Sequence, residues 1–254
     1  MRLLKNIALA FGMYTRLPMP KVEWSTDNMR HVLCVFPFIG AVIGLIGRGW
    51  AALAALAGFS TVLTAAGMTV LPVLIAGGIH MDGFCDTADA LASHAAREKK
   101  LAILSDPHTG AFAVISVVLY FTLYFAICYE LVLTGAPVYL WSVTFIISRI
   151  LAGIGLLLFP AARETGLAHT FSAMASKRPC VVFLSAASVS LAVFLMWLAF
   201  TEALVMIIIA AVFFLYWKKM CLKHFGGITG DLTGWFLQLC ELLLAGGLAA
   251  AMRL

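Results

Sequence analysis

Long apolar segments alternate with short polar ones along most of the 254-residue chain. A helix needs about 20 apolar residues to cross the hydrocarbon core of a bilayer, so the pattern predicts about seven membrane spans, within a range of six to eight. The N-terminal residues 3–13 are predicted to form a helix at the membrane surface. The predicted spans are residues 32–57, 60–79, 111–133, 138–160, 181–201, 203–217 and 235–252.

The composition supports a membrane protein. Of the residues, 63% are hydrophobic and 11% are charged, whereas a soluble domain has about 25% charged residues. Because so few charges could not cover a soluble surface, the excess apolar surface must face lipid. We therefore expect an all-α, polytopic transmembrane helical bundle that forms a single integral membrane catalytic domain over residues 1–254. A secreted disulfide scaffold, a nucleic-acid module and an ordinary soluble enzyme are excluded.

The basic residues predict the orientation of the bundle. If the N-terminus is cytoplasmic and each span crosses once, all of the 17 Lys and Arg residues except Arg48, Arg149 and Arg253 fall in cytoplasmic segments. This is the distribution that the positive-inside rule describes. It also explains the net charge of +5 without a nucleic-acid partner. The main aspartates fall on the same side, so we expect an active site that faces the cytoplasm.

The six cysteines are scattered singly along the chain. This arrangement is typical of buried thiols rather than of disulfides or a zinc site.

Three aspartates form the most informative cluster of the sequence. Asp82, Asp86 and Asp89 are spaced i, i+4 and i+7, which places them on one face of a helix. Carboxylates so placed repel one another, and a hard divalent cation such as Mg²⁺ would offset that repulsion. A solvated acidic face is the alternative. Because three of the chain's 12 acidic residues fall within this short stretch beside a span, metal or phosphate chemistry is favoured.

Two neighbouring residues have open roles. His80 adjoins the acidic face and could be a metal ligand, a proton shuttle or a hydrogen-bonded neighbour. Asp106 precedes Pro107 just before the third span, where it could complete the metal site or cap the helix that follows.

A glycine-rich segment at residues 226–231 precedes the last span. Its backbone amides could approach a phosphate closely, as they do in phosphate-binding loops, although a plain interhelical loop is the alternative. Lys218, Lys219 and Lys223 lie just upstream and could contact phosphate charge.

Ionisable residues inside spans form another group of candidates. Arg149 and Glu241 are each predicted within a span, where charge is costly and indicates function by default. The partner of Arg149 is either Glu241, in a structural ion pair, or a substrate phosphate. On spacing alone, Arg163 and Glu164 are typical of a solvated loop.

The stretch Gly77–Ala90 resembles the signature of the cobalamin synthase family, the adenosylcobinamide-GDP ribazoletransferases. The family pattern Gly-Gly-x-His-x-Asp-Gly-x-x-Asp-Thr-x-Asp is matched at every fixed position. The resemblance extends over about residues 11–245. Shorter matches follow one another in order at residues 15–20, 36–40, 106–110, 148–149, 162–167 and 226–241.

The resemblance implies a reaction and a cofactor. The corrinoid phosphate of adenosylcobinamide-GDP would be transferred to the 5′-hydroxyl side of α-ribazole, or joined to α-ribazole 5′-phosphate. The products would be adenosylcobalamin, or its 5′-phosphate, and GMP, in the final nucleotide-loop assembly step of vitamin B12 biosynthesis. Mg²⁺ is the expected cofactor, and the cell (inner) membrane is the expected location. A homo-oligomer is compatible with the sequence.

The resemblance also implies roles for single residues. Metal binding is expected from Asp82, Asp86, Asp89 and Asp106. Asp89 is the first choice for the general base, with Asp86 and His80 as alternatives. Substrate or phosphate binding is expected from Arg149, Arg163, Gly227, Thr229, Asp231, Glu241 and Lys223, and Asp231 could instead join the metal ligands.

Other families fit the sequence less well. A CDP-alcohol phosphotransferase would carry Asp-Gly-x-x-Ala-Arg, but Asp86 and Thr87 occupy the Ala-Arg positions here. Prenyltransferases usually carry two aspartate-rich motifs. A small-molecule transporter would show ionisable groups near mid-bilayer or inverted repeats, whereas the polar residues of this chain crowd one face.

Overall fold

The computed structural model describes residues 2–163, 170 and 173–253. Throughout these residues the regular elements are helices. One isolated β-bridge pairs Ala161 with Ile228. The helices are Arg2–Tyr14 (α1), Thr26–Met29 (α2), Val32–Leu56 (α3), Thr61–Ile75 (α4), Ile79–Ala92 (α5), Arg97–Ile103 (α6), Ala111–Leu133 (α7), Val138–Leu158 (α8), Lys177–Leu198 (α9), Phe200–Phe225 (α10) and Gly230–Ala251 (α11).

Among the described helices, six are long and apolar enough to cross a membrane, namely α3, α7, α8, α9, α10 and α11. α4 and α5 qualify only as a pair that is bent by 91°, and counting this pair as one broken span gives seven. The predicted all-α polytopic bundle is therefore confirmed. α5 has 14 residues, too few to cross a bilayer alone, so it lies outside the six spans.

The span predicted at residues 60–79 ends a few residues earlier than expected, at a sharp turn. α4 ends at Ile75, and Gly77 and Gly78 then adopt left-handed backbone angles, with φ of 69° and 81°. Such angles favour glycine because it has no Cβ. A Cβ on Gly77 would also lie 2.8 Å from Cγ of Arg16. The two glycines thus turn the chain and set the direction of the acidic helix α5.

The last helix occupies the centre of the bundle, in contact with α5, α7, α8 and α10. Trp217 of α10 stacks on Phe236 of α11 with ring centroids 4.1 Å apart, and its Nε1 donates to the Leu232 carbonyl. At the C-terminal end of α11, Arg253 pairs with Glu130 of α7. α7 and α11 therefore end at one side of the bundle, and the residues that begin them lie together at the other.

Candidate active site

The acidic face of α5 is open. Asp82 is exposed and Asp86 and Asp89 are half-buried, whereas His80 and Thr87 lie on the buried face of the same helix. Since α5 is helical throughout Ile79–Ala92, the predicted sharing of one face by the three aspartates is confirmed.

A fourth carboxylate reaches this face from α11. Gly83 packs against the backbone at the start of α11, where a Cβ on it would lie 2.7 Å from Cα of Asp231. The absence of a side chain at Gly83 allows the two helices to approach this closely. The charge of Asp231 acts on Asp86, and the charge of Asp82 acts on Asp231. The structure therefore brings Asp231 to the cluster. This position is the one that the expected role of Asp231 as a further metal ligand requires.

The electrostatics of the cluster favour a cation. Partial burial raises the pKa of Asp86 to about 6, and the neighbouring charges of Asp82, Asp231 and Asp89 contribute to this rise. The negative charges thus destabilise one another, and a bound divalent cation would remove that penalty. A set of carboxylate oxygens is the donor chemistry that Mg²⁺ prefers, so the residues present fit this ion.

Asp89 has a structural task as well. Its two carboxylate oxygens accept the backbone N–H groups of Gly110 at 2.7 Å and Ala113 at 2.9 Å. Asp89 therefore satisfies unpaired donors at the start of α7, as a helix cap does. From the sequence, Asp106 was the candidate cap for α7, because a capping residue usually lies next to its helix along the chain. Only the packing of α5 against α7 reveals the actual acceptor.

Asp106 lies in an exposed turn that precedes α7. Its Oδ1 accepts the backbone N–H of His108 at 3.0 Å and lies 2.7 Å from Nδ1 of the same residue. Hydrogen bonds from the His108 backbone and side chain lower the pKa of Asp106, with a further contribution from Lys99. The carboxylate of Asp106 is thus engaged by His108, and this geometry does not support the metal-binding role expected for it.

His80 points away from the acids. It is 5% exposed and packs against the rings of Tyr14 and Phe36, at centroid distances of 5.9 and 6.2 Å. Its Nε2 has no hydrogen-bond partner among the described residues. Burial, together with the charge of Arg149, lowers the pKa of His80 to about 3. The ring is therefore neutral and buried, and the geometry does not bring it to the reacting face.

The glycine-rich loop is held by its own backbone. The N–H groups of Gly226 and Gly227 donate to the carbonyls of Leu222 and Cys221 at the end of α10, as in a helix C-cap. The N–H of Ile228 donates to the Pro160 carbonyl at 2.8 Å. The expectation that Gly227 offers its amide to a phosphate is therefore corrected, because that amide is already bonded.

Thr229 caps α11 rather than standing free for a ligand. Its Oγ1 accepts the N–H of Leu232 at 3.2 Å and donates to Oδ2 of Asp231 at 3.3 Å. Thr229 is 7% exposed. Its visible role is to orient Asp231.

Two arginines lie beside the glycine-rich loop. Arg163 donates to Oγ of Ser105 at 2.6 Å and to the Leu101 carbonyl, and its charge acts on Asp231. The guanidinium of Arg97 lies over Gly226, in the space that a Cβ would occupy.

The sequence pattern did not single out Arg97, because it is one of several basic residues in a short polar segment. Its helix α6 is fastened to the end of α10 by Lys100, whose Nζ lies 3.1 Å from Nδ1 of His224. Lys223, an expected phosphate contact, is exposed on the last turn of α10.

Arg149 and Glu241 form a closed pair inside the bundle. Their side chains are 2% and 4% exposed, and Nη1 of Arg149 lies 2.6 Å from Oε1 of Glu241. Ser148 donates to the same oxygen at 2.9 Å, and the Phe145 carbonyl accepts from Arg149 at 3.0 Å. The structural ion pair is thus the correct alternative, and this enclosure corrects the expectation that the two residues bind substrate.

The remaining matches to the family signature include Glu164, Gly166 and Leu167. These residues lie outside the described part of the chain.

Comparison with known proteins supports one family. The sequence model described as "Cobalamin-5-phosphate synthase" matches residues 6–249. An adenosylcobinamide-GDP ribazoletransferase of Lachnoclostridium phytofermentans is 38% identical over 243 residues, covering 96% of this chain and 92% of the relative. A protein of the same name from Geobacillus kaustophilus is 32% identical over 247 residues, covering 94% and 92%. No solved structure matches the chain.

Proposed function

Because the chain belongs to the cobalamin-5-phosphate synthase family, we propose that the carboxylates of α5 and Asp231 form its catalytic centre. The reaction is that of an adenosylcobinamide-GDP ribazoletransferase, which completes the nucleotide loop of cobalamin. The family match decides against the CDP-alcohol phosphotransferase, prenyltransferase and transporter alternatives.

We infer the acceptor oxygen from the product in the family's name, cobalamin 5-phosphate. A cobalamin 5-phosphate product keeps a phosphate on the 5′ position of its ribose, so that position cannot be the attacking hydroxyl. We therefore assign the attack to another ribose hydroxyl of α-ribazole 5′-phosphate, which corrects the 5′-hydroxyl expectation. This oxygen forms a bond to the corrinoid phosphorus, the bond from that phosphorus to the GMP oxygen breaks, and the hydroxyl proton passes to a base.

The convergence of Asp82, Asp86 and Asp231 carries the proposal. These three carboxylates would hold Mg²⁺, which when bound neutralises the diphosphate of the substrate and its leaving group. The hard-oxygen donor set supports this assignment. Asp89 contributes by positioning α7 against α5.

The hydrogen bonds of the site count against Asp89 as the proton acceptor. Both oxygens of Asp89 accept backbone N–H groups of α7, whereas Asp86 lies on the open face between Asp82 and Asp89. A general base must reach the proton that it removes, and the open face is where a substrate hydroxyl can approach.

The phosphates of the substrate would contact Arg97, Arg163 and Lys223. Guanidinium groups suit phosphates because they donate parallel hydrogen bonds. The excess of basic residues in the segments around this face supports a cytoplasmic orientation in the cell (inner) membrane.

The direct test is the release of GMP from adenosylcobinamide-GDP by the full chain purified in detergent. We expect release to require both α-ribazole 5′-phosphate and Mg²⁺, to stop with a chelator, and to return when Mg²⁺ is added in excess. Undiminished release in the presence of the chelator would disprove the metal assignment, and release that does not depend on the acceptor would disprove the acceptor assignment.

A further inference from the structure

Three soft-ligand side chains meet at the end of the bundle where α3 and α9 begin. His31 immediately precedes α3, Cys34 lies in its first turn, and Cys180 lies in the first turn of α9. Their ligand atoms all lie within 4.8 Å of one another. Sγ of Cys180 is 3.9 Å from Nδ1 of His31.

These separations fit a tetrahedral metal ion. Zinc binds sulfur at about 2.3 Å and nitrogen at about 2.0 Å, so the ligands of one tetrahedral ion stand roughly 3.5–3.8 Å apart. The separation of 3.9 Å between Cys180 and His31 is close to that value. A set of two cysteines and one histidine is also a known zinc donor set, with a water as the fourth ligand.

The charge of such a site suits its position. Cys180 is buried, and His31 and Cys34 are half-buried. Two thiolates and a neutral imidazole balance the charge of Zn²⁺, so the loaded site carries no net charge and is inexpensive to bury. We propose that His31, Cys34 and Cys180 bind one Zn²⁺ ion. On binding, two Zn–S bonds replace two S–H bonds, and the two protons pass to solvent.

The backbone around the site is already in place for this role. The Arg30 carbonyl accepts the N–H of Ser176 at 2.9 Å and lies 3.6 Å from Sγ of Cys180. The N–H of His31 donates to Oδ1 of Asn6 at 3.2 Å. The ion would therefore join α3 to α9 at a junction that α1 also supports. Its sulfur and nitrogen donors distinguish it from the all-oxygen site on α5.

The test begins with zinc content. The full chain is purified in detergent, equilibrated with ZnCl₂ and freed of loosely bound metal. Its zinc content is then measured by elemental mass spectrometry. We expect about one zinc per chain, and a loss of at least tenfold in zinc affinity in Cys34→Ser, Cys180→Ser and His31→Ala, since even groups outside the ligand set are worth about that much. Cys128→Ser removes a buried cysteine of α7 and should keep full occupancy.

A second measurement uses the unmodified chain, so that it does not depend on the folding of variants. Bound zinc should slow maleimide labelling of the half-buried Cys34, as read by peptide mass spectrometry. Cobalt(II) in place of zinc should add thiolate-to-metal charge-transfer absorption that is absent in Cys180→Ser. The proposal fails if the wild-type chain retains no zinc, if the ligand variants retain as much as Cys128→Ser, or if the chain purified without reductant contains a Cys34–Cys180 disulfide instead.

Discussion

The carboxylate of Asp89 accepts the backbone N–H of Gly110 at 2.7 Å, so the acidic helix α5 holds the first turn of α7. A second bond, from the N–H of Ala113, engages the other oxygen of the same carboxylate. One residue of the family signature thus connects the acidic face of α5 to α7.

This relationship predicts a loss of stability when the acceptor is removed. Asp89→Ala should lower the free energy of unfolding by about 1–2 kcal/mol, the usual effect of losing a helix cap. Thermal unfolding in detergent measures the change. Asp82→Ala, on the same face but with no helix to cap, is the matched control. Equal stability of the two variants would show that the bonds to α7 do not matter.

The four-carboxylate arrangement predicts which aspartates are essential. Asp82→Asn, Asp86→Asn and Asp231→Asn should each lower the turnover number for GMP release by at least about 100-fold, because losing a metal ligand costs at least as much as losing a partner outside the ligand set. Asp106→Asn should stay close to wild type, because Asp106 bonds to His108 in an exposed turn. Asp27→Asn, exposed in α2, controls for charge alone. Near-normal turnover in the first three variants would refute the site.

The contact between α5 and α11 predicts that Gly83 tolerates no side chain. In Gly83→Ala the new Cβ would lie 2.7 Å from Cα of Asp231, so the helices must separate. We expect destabilisation of about 1–3 kcal/mol and weaker binding of Mg²⁺, measured by the Mg²⁺ dependence of turnover. Gly49→Ala is the control, because nothing lies within 4 Å of a Cβ at that α3 position. A Gly83→Ala enzyme with unchanged Mg²⁺ dependence would contradict the close approach.

The buried pair of Arg149 and Glu241 predicts a structural phenotype. Arg149→Met or Glu241→Leu alone should destabilise the protein by about 3–5 kcal/mol, since each leaves an unpaired buried charge. The double variant should be more stable than either single one. The KM for adenosylcobinamide-GDP in the folded fraction should remain unchanged. A double-mutant cycle measures the stabilities, and steady-state kinetics on the same variants measure the KM. A raised KM in the double variant would instead restore the phosphate-binding role.

Several features could be predicted from the sequence because they depend on neighbours along the chain. Apolar length determines whether a helix can span a bilayer, so α3 and α7 lie almost where expected. The spacing of Asp82, Asp86 and Asp89 determines their shared face as soon as α5 is helical. The same local reasoning misplaced the end of the span predicted at residues 60–79, because the turn at Gly77 and Gly78 lies inside a continuous apolar run.

The sequence by itself therefore determined the membrane class, the acidic face and the family resemblance. Tertiary structure decided three relationships between distant segments: the approach of Asp231 to α5 at Gly83, the capping of α7 by Asp89, and the buried pairing of Arg149 with Glu241. The physical reason is the range of the interactions. Helical periodicity and hydropathy act over a few residues, whereas capping, close backbone contact and buried ion pairing require segments that only the packed bundle brings together.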